Sequence, residues 1–324
     1  HRPLMSINKQ QHLPPVDYSG ALLVASAALL FSAKAVFVKL AYQYQVDTVT
    51  LMTLRMLFSF PVYLALAVIS LRHMTPATLS PVRLLQIGVL GLAGYYAASF
   101  LDLSGLQYIT ANLERLILYL YPSLVMLISA VFLGRTIQSG ELLCLAGAYV
   151  GIALVFGTDL SLYSAESVIV ADRIELPAVV WGSLLVFGSS VTFAFYLVGS
   201  ERLMNVMSPM LFTSLAMLVS TLGISIHFGL SQDVSKLLEQ PTAVYGLAFA
   251  TAIFSTVLPS YMMAEGIRRI SAARASIIGS VGPVSTMVMG FILLDEVITF
   301  WHLVGLLIVV GSSLALSRMR PHSA

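Results

Sequence analysis

A single cysteine, Cys144, is all the thiol chemistry in this chain, and it sits inside an apolar run. Disulfides and thiolate metal sites therefore have no basis. The six histidines (His1, His12, His73, His227, His302 and His322) are dispersed, and none falls in the middle of an apolar run. They supply no convergent metal-ligand or nucleophile–base set, so no metal, cofactor or catalytic residue is expected. Charge is scarce as well: Asp, Glu, Lys and Arg make up 10% of the residues, against about a quarter in soluble domains. In their place stand hydrophobic residues at 58%, with a mean hydropathy of +0.91. This is the composition of an integral membrane protein, whose surroundings are a lipid bilayer and which needs no nucleic-acid partner.

A helix needs about 20 apolar residues to cross the hydrocarbon layer. Ten such segments are expected, at roughly 19–41, 48–70, 83–104, 110–133, 139–157, 178–200, 206–229, 243–267, 272–294 and 298–317. A porin-like barrel is excluded, because its strands would be about 10 residues of alternating polarity. Residues 1–18 are polar and include Pro14 and Pro15, so the first helix is not led by the short charged region of a signal peptide. His1 to Leu4, ahead of Met5, are expected to be an upstream remnant outside the fold.

The chain matches itself. A shift of 161 residues, without a gap, lays Ser99 on Ser260, Gly105 on Gly266, Ile109 on Ile270, Ala111 on Ala272, Pro122 on Pro283, Met126 on Met287 and Leu133 on Leu294. A shift of 162 lays Gly20, Leu22, Val24 and Phe31 on Gly182, Leu184, Val186 and Phe193. A unit of five crossings leaves the chain on the far side, so its duplicate must enter with opposite polarity. The expected organisation is a polar segment 1–18, a first five-helix repeat 19–157, an outer connecting loop 158–177, a second repeat 178–317 and a tail 318–324. Inverted repeats of this kind mark secondary transporters, which alternate access around a site at the repeat interface.

Orientation follows from where the cations lie. With both termini in the cytoplasm, the inner segments carry Arg2, Lys9, Arg72, Arg83, Arg135, Arg202, Arg268, Arg269, Arg274, Arg318 and Arg320, whereas the outer loops carry only Arg173 and Lys236. That asymmetry satisfies the positive-inside rule.

Seven ionisable side chains lie within or at the ends of spans: Lys34, Lys39, Arg55, Asp102, Glu114, Arg115 and Glu265. Each unpaired charge costs on the order of 2.5–3.5 kcal/mol at a bilayer centre on insertion scales, so they must be paired, hydrated or near the interface. Lys39 and Asp102, close to helix ends, are expected to snorkel to the headgroups. Lys34 and Arg55 lie well inside their spans and point to a water-filled cavity. Helical spacing gathers polar residues into seams: Thr48, Met52, Arg55 and Ser59; Tyr95, Ser99 and Asp102; Glu114, Leu118 and Tyr121, with Arg115 and Tyr119 on the adjacent face; Tyr261, Glu265 and Arg268; and Ser276, Ser280 and Pro283. Glu114 and Arg115 point about 100° apart; one is expected to reach the cavity while the other pairs with a neighbouring helix. Tyr42, Tyr44 and Tyr108, at span ends, read as an interfacial aromatic belt.

Pro122 and Pro283 occupy matched mid-span positions, the latter after Gly282. Proline removes a backbone donor and kinks a helix, so these three residues are the hinge candidates.

The stretch Glu114-Arg115-Leu116-Ile117-Leu118-Tyr119-Leu120-Tyr121-Pro122, and the run Leu293-Leu294-Asp295-Glu296 followed by Thr299 and Gly305, resemble the EamA-like branch of the drug/metabolite transporter superfamily. The resemblance covers about Gly20 to Ser317. It implies an all-α bundle with a central cavity and an exporter of amino acids or other small metabolites in the bacterial inner membrane. The chain departs from the family in carrying Arg135 where an acid matching Glu296 is frequent. A channel or a non-transporting scaffold remains an alternative, since inverted repeats also occur outside carriers; an intramembrane enzyme is a third.

Overall fold

The computed structural model describes residues 18–72, 79–134, 136–163, 165–170, 174–270, 275 and 278–318. Arg135, Ser276 and the cations Arg2, Lys9, Arg173, Arg274 and Arg320, all used above, lie outside them. Among the described residues the chain is helical apart from one small hairpin. The helices are α1 (Tyr18–Tyr42), α2 (Thr48–Leu71), α3 (Pro81–Gly105), α4 (Ala111–Leu118), α5 (Tyr121–Leu133), α6 (Ser139–Tyr163), α7 (Ala178–Met204), α8 (Pro209–Ser231), the short α9 (Ser235–Leu238), α10 (Thr242–Ile270), α11 (Val281–Leu294) and α12 (Phe300–Arg318).

Their starts are written in the sequence. Asp47 caps α2 by accepting from Thr50 N, Ser80 precedes Pro81 at the start of α3, Thr110 caps α4, and Ser208 precedes Pro209 at α8. Eight stretches are long and apolar enough to cross a bilayer: α1, α2, α3, α4 with α5, α6, α7, α8 and α10. The apolar α11 and α12 are shorter than a full span as described. Eight of the ten expected spans are thus met by helices of crossing length, and α11 and α12 overlap the other two without reaching it; residues 271–274, 276 and 277, ahead of α11, lie outside the described set. Leu22, Leu57, Leu64, Phe132, Leu143, Leu184, Leu222 and Leu307 stand exposed, a large apolar outer surface suited to lipid.

Within the expected loop 158–177 the described residues are largely helix and strand. Helix α6 continues to Tyr163, and Ser167–Val170 (β1) pairs antiparallel with Ile174–Pro177 (β2), in the register Val168↔Leu176 and Val170↔Ile174. Val168, Ile169, Val170 and Ile174 are β-branched, which favours the pleated pairing over a loop. The end of the bundle bearing this hairpin holds the ends of α1, α3 and α6 and the starts of α2, α4 and α7.

Three structural details recur at the sequence shift. A π-helical turn interrupts α3 at Leu92–Ala97 and another interrupts α10 at Ile253–Val257, their first residues 161 apart. Helix α5 stops at Gly134 (φ 68°), whose N–H donates to Ser129 O; α11 stops at Asp295 (φ 53°), whose N–H donates to Gly290 O. The left-handed cap suits glycine and is tolerated by aspartate. Finally, α3 and α7 cross where Gly105 meets Gly182, and α10 and α1 cross where Gly266 meets Gly20. A Cβ on Gly105 would fall 2.5 Å from Val186 Cγ2 and 2.8 Å from Gly182 O; on Gly266 it would fall 2.5 Å from Val24 Cγ2 and 3.1 Å from Gly20 O. The first crossing is at the hairpin end, the second at the opposite end.

Candidate functional site

Four helices bring ionisable groups together in the apolar interior. Lys34 on α1 donates to Asp102 Oδ2 on α3 and stands 3.2 Å from Glu114 Oε1 on α4. Glu114 is fully buried, and Asp102 and Arg55, the latter on α2, are each 4% exposed. Lys34 itself is mostly buried. Burial on this scale removes the headgroup-snorkelling expectation for Asp102: its carboxylate turns inward to Lys34. Polar capacity remains unused. Arg55 Nε, Asp102 Oδ1 and both Glu114 oxygens are buried without a hydrogen-bond partner, a desolvation cost that the Lys34 charge beside Glu114 Oε1 offsets in part.

The periodic face of α2 explains how Arg55 arrives there. Thr48, Met52, Arg55 and Ser59 are all buried, and one turn further Tyr63 is only 2% exposed. Tyr63 belongs to the same packed cluster as Met52, Met56, Tyr95 and Tyr261; its place on the Arg55–Ser59 face was legible, but it was not singled out. On α3 the π-turn holds Tyr95, whose hydroxyl accepts from Tyr196 Oη on α7 at 3.0 Å with ring centroids 5.0 Å apart. Ser99 follows, half-buried, one turn before Asp102. Phe193 and Phe212 stack on Tyr196, and Tyr121 meets Phe193 edge-on at 5.9 Å.

Glu114 and Arg115 diverge as their spacing requires. Glu114 faces Lys34, whereas Arg115 Nε donates to Thr286 Oγ1 on α11 at 3.2 Å. Beyond them the fourth span breaks. Tyr119 and Leu120 form a turn, Leu120 N donates to Ile117 O at 3.0 Å, and α5 begins at Tyr121 with Pro122 in its second position. The expected kink inside a continuous helix is instead a break just before the proline, which then sits where a missing N–H costs nothing. Ser190 on α7 lies 3.2 Å from Ile117 O. In the second half, Ser280 forms the turn before α11, with Gly282 and Pro283 buried in its first turn; Ser32 on α1 lies 2.8 Å from Gly282 O. Tyr119 is half-buried and Tyr121 is exposed.

A second polar assembly closes the hairpin end. Glu296, between α11 and α12, accepts from Ala111 N at 2.6 Å and from Asn112 N at 3.3 Å, two of the orphan donors that start α4. Burial raises its carboxyl above the ordinary range, against the opposing pull of these N–H groups and of Lys39. Lys39 donates to Ile109 O at 2.6 Å rather than reaching the headgroups. Thr110 Oγ1 donates to Asp159 Oδ2 at 2.7 Å, and His302 Nε2 lies 2.8 Å from Asp159 Oδ1. Because Thr299 N–H donates to His302 Nδ1 at 3.0 Å, Nε2 carries the proton and points it at Asp159. Sequence spacing singled out none of Thr110, Asp159 or His302 as a site residue, since they come from three separated segments; the N-cap at Thr110 was the one local signal available.

The remaining expected residues lie elsewhere. Glu265 is at the opposite end of the bundle, paired with Arg268 at 2.6 Å and Arg269 at 2.7 Å; Arg269 also bonds Ser19, about 22 Å along α1 from Lys34 at 1.5 Å per residue. Tyr261 packs near Tyr63, its hydroxyl buried without a partner. A small surface crevice lined by Tyr119, Pro122, Ser123, Cys144 and Ser312 among others lies beside the α4–α5 break. It is lined by no carboxylate or cationic side chain, so the charged interior is the stronger site. Among the described residues no group of three metal-ligating side chains occurs.

A sequence model of the EamA-like transporter family matches residues 18–157 and again residues 180–318. The chain is 25% identical over 292 residues to the uncharacterized transporter YcbK of Bacillus subtilis, covering 89% of each chain. It is 26% identical over 234 residues to an uncharacterized transporter of Archaeoglobus fulgidus, covering 72% of this chain and 74% of that one. One solved crystal structure superposes with a TM-score of 0.58 at 18% identity, over 93% of this chain and 97% of that chain, a likeness of fold.

Proposed function

This chain belongs to the EamA-like transporter family, and from that premise we propose that it is a secondary transporter that exports a small polar metabolite, such as an amino acid, across the bacterial inner membrane. In this reading ten spans form two inverted five-helix repeats, with both termini in the cytoplasm. Support for the inversion comes from the recurrence of the π-turns, helix stops and glycine crossings at a fixed shift, with the two crossings at opposite ends of the bundle. Alternating access would move the two halves around the interior they share.

The observation that carries the proposal is the charged interior of Lys34, Arg55, Asp102 and Glu114, with polar atoms on three of the four left without partners. Charges inside a bilayer are costly and mark solute pathways. Arg55, buried with no ion-pair partner among the described residues, is the group we assign to a carboxylate on the solute. A charge-assisted hydrogen bond of this kind is worth about 1.5–3 kcal/mol, so Arg55→Gln should slow transport of a carboxylate-bearing solute roughly 10- to 100-fold at equal protein in the membrane. The test is counterflow into liposomes holding the purified protein, with a panel of labelled amino acids and other metabolites. Saturable counterflow separates a carrier from a channel; its absence across the panel would remove the carrier reading.

A further inference from the structure

Tyr196 stands on a shelf cut into α3. Gly94, inside the π-turn of α3, packs so closely on the ring of Tyr196 that a Cβ there would overlap the ring atoms, whereas Gly88, earlier on the same helix, has open space around it. The turn thus seats one large side chain. Tyr196 Oη donates to Tyr95 Oη, on the same π-turn, at 3.0 Å, and Phe193 and Phe212 stack on the ring with centroids 5.7 and 5.8 Å away. Tyr121 closes the group against Phe193. The stack joins α3 and α5, from the first copy of the family unit, to α7 and α8, from the second. It therefore lies across the surface along which two moving halves would part.

The duplication gives this place a counterpart. A shift of 162 lays Lys34 on Tyr196, and a shift of 161 lays Gly94 on Ser255 in the π-turn of α10, against which α1 packs as α7 packs against that of α3. Lys34 lies about 12 Å from the hairpin end of α1, and Tyr196 lies about 12 Å from the opposite end of α7, at 1.5 Å per residue. Matched positions thus hold an ion-paired lysine towards the hairpin and an aromatic stack towards the other end. We propose that Tyr196, seated on Gly94, is the plug that closes the solute path on the side away from the hairpin, and that the stack around it must come apart for the path to open there. Broad apolar ring faces exclude water, whereas the closure towards the hairpin is ionic. The two ends of the path are therefore shut by different chemistry. Between them lies Ser99, half-buried on the face of α3 that carries Tyr95 and Asp102. A reagent coming from the end away from the hairpin must pass Tyr196 to reach it; one coming from the hairpin end must pass Lys34 and Asp102.

This inference rests on the transporter reading, and its test needs no solute. In a Cys144→Ser background, Ser99→Cys is treated with an impermeant maleimide in sealed vesicles of each orientation, while Glu175→Cys, in the hairpin, reports which end of the bundle faces the reagent. Ser99→Cys by itself should label slowly from both sides. Adding Tyr196→Ala should speed labelling about tenfold from the end away from the hairpin, by shifting the population towards the path open at that end, and should leave the hairpin side unchanged. Gly94→Ala, whose methyl displaces the ring, should do the same, and Gly88→Ala should change nothing. Tyr196→Phe keeps the ring and loses the bond to Tyr95, so its effect should be smaller than that of Tyr196→Ala. Three results overturn the proposal, whatever the protein transports: fast labelling of Ser99→Cys from the end away from the hairpin with Tyr196 and Gly94 intact, a rate unmoved in every one of the Tyr196 and Gly94 variants that folds, or a rise from the hairpin side. The carrier reading fails separately, by absence of counterflow, and that failure leaves the labelling result to decide the plug.

Discussion

Glu296 Oε1 lies 2.6 Å from the backbone nitrogen of Ala111, a residue 185 positions earlier in the chain. The loop between α11 and α12, in the second copy of the family unit, therefore caps the helix that carries Glu114 and Arg115 in the first. Movement of the α11–α12 loop away from the start of α4 would have to break this cap.

Removing the cap outright should cost stability. Glu296→Ala leaves two buried N–H donors without an acceptor, a loss of about 1–3 kcal/mol, read as a lower melting temperature in detergent. Glu296→Gln keeps an acceptor oxygen and is neutral at every pH. Because burial raises the carboxyl in the folded protein, its contribution is fully present below the ordinary carboxyl range and lost as pH rises through the folded value. Wild type should therefore lose stability relative to Glu296→Gln as pH increases from about 4 towards neutrality. The opposite slope would reverse the assigned balance between burial and the N–H bonds.

Glycine is required at the helix crossings and not along the helices in general. In Gly182→Ala the new methyl would fall 2.8 Å from Tyr108 Cβ and 2.9 Å from Gly105 O; in Gly266→Ala it would fall 3.1 Å from Gly20 O. Each should destabilise by about 1–3 kcal/mol through overpacking. Gly246→Ala, with nothing within 4 Å, should be neutral or gain up to about 1 kcal/mol of helix propensity. Equal melting temperatures for all three would show that the crossings are looser than described.

Pro122 and Pro283 each lie in the first turn of a helix that follows a turn, and the hinge role proposed for them predicts that each keeps its helix from extending backwards. Pro122→Ala and Pro283→Ala restore a backbone N–H that can extend the hydrogen-bonded ladder across the turn. Both variants should be at least as stable as wild type yet slower in initial counterflow at matched protein levels. Wild-type rates in both singles and in the double variant would remove the hinge role.

Orientation has a direct readout. A reporter active only in the periplasm should stay silent when fused at Ala324, and a cysteine at Glu175, in the hairpin, should react with an impermeant thiol reagent in cells with a permeabilised outer membrane. An active reporter or an unreactive cysteine would invert the proposed topology.

Much of this architecture was legible because it is local or periodic. Apolar length placed the helices, and the Thr48–Ser59 spacing delivered Arg55 to the interior. Pairing across helices was not. Lys34 and Asp102 were visible as costly charges, but nothing in their spacing says that α1 and α3 run side by side. Glu265 shares a helical face with Tyr261, yet it stands far along α10, where Arg268 and Arg269 hold it. The hairpin-end assembly escaped for the same reason: Thr110, Asp159 and the Glu296–His302 stretch converge only after three separate chain segments have packed.

The π-turns carry a record of descent. A π-turn holds one residue more than the α-helical turn it replaces, so it enters a helix by a single-residue insertion and costs hydrogen-bond geometry to keep. Leu92–Ala97 and Ile253–Val257 begin 161 residues apart, at the shift that relates the two copies of the family unit. One insertion in a single ancestral unit accounts for both; two independent insertions at the same rung do not share that economy. By this reckoning the irregularity is older than the duplication, and both halves inherited it from one ancestral unit.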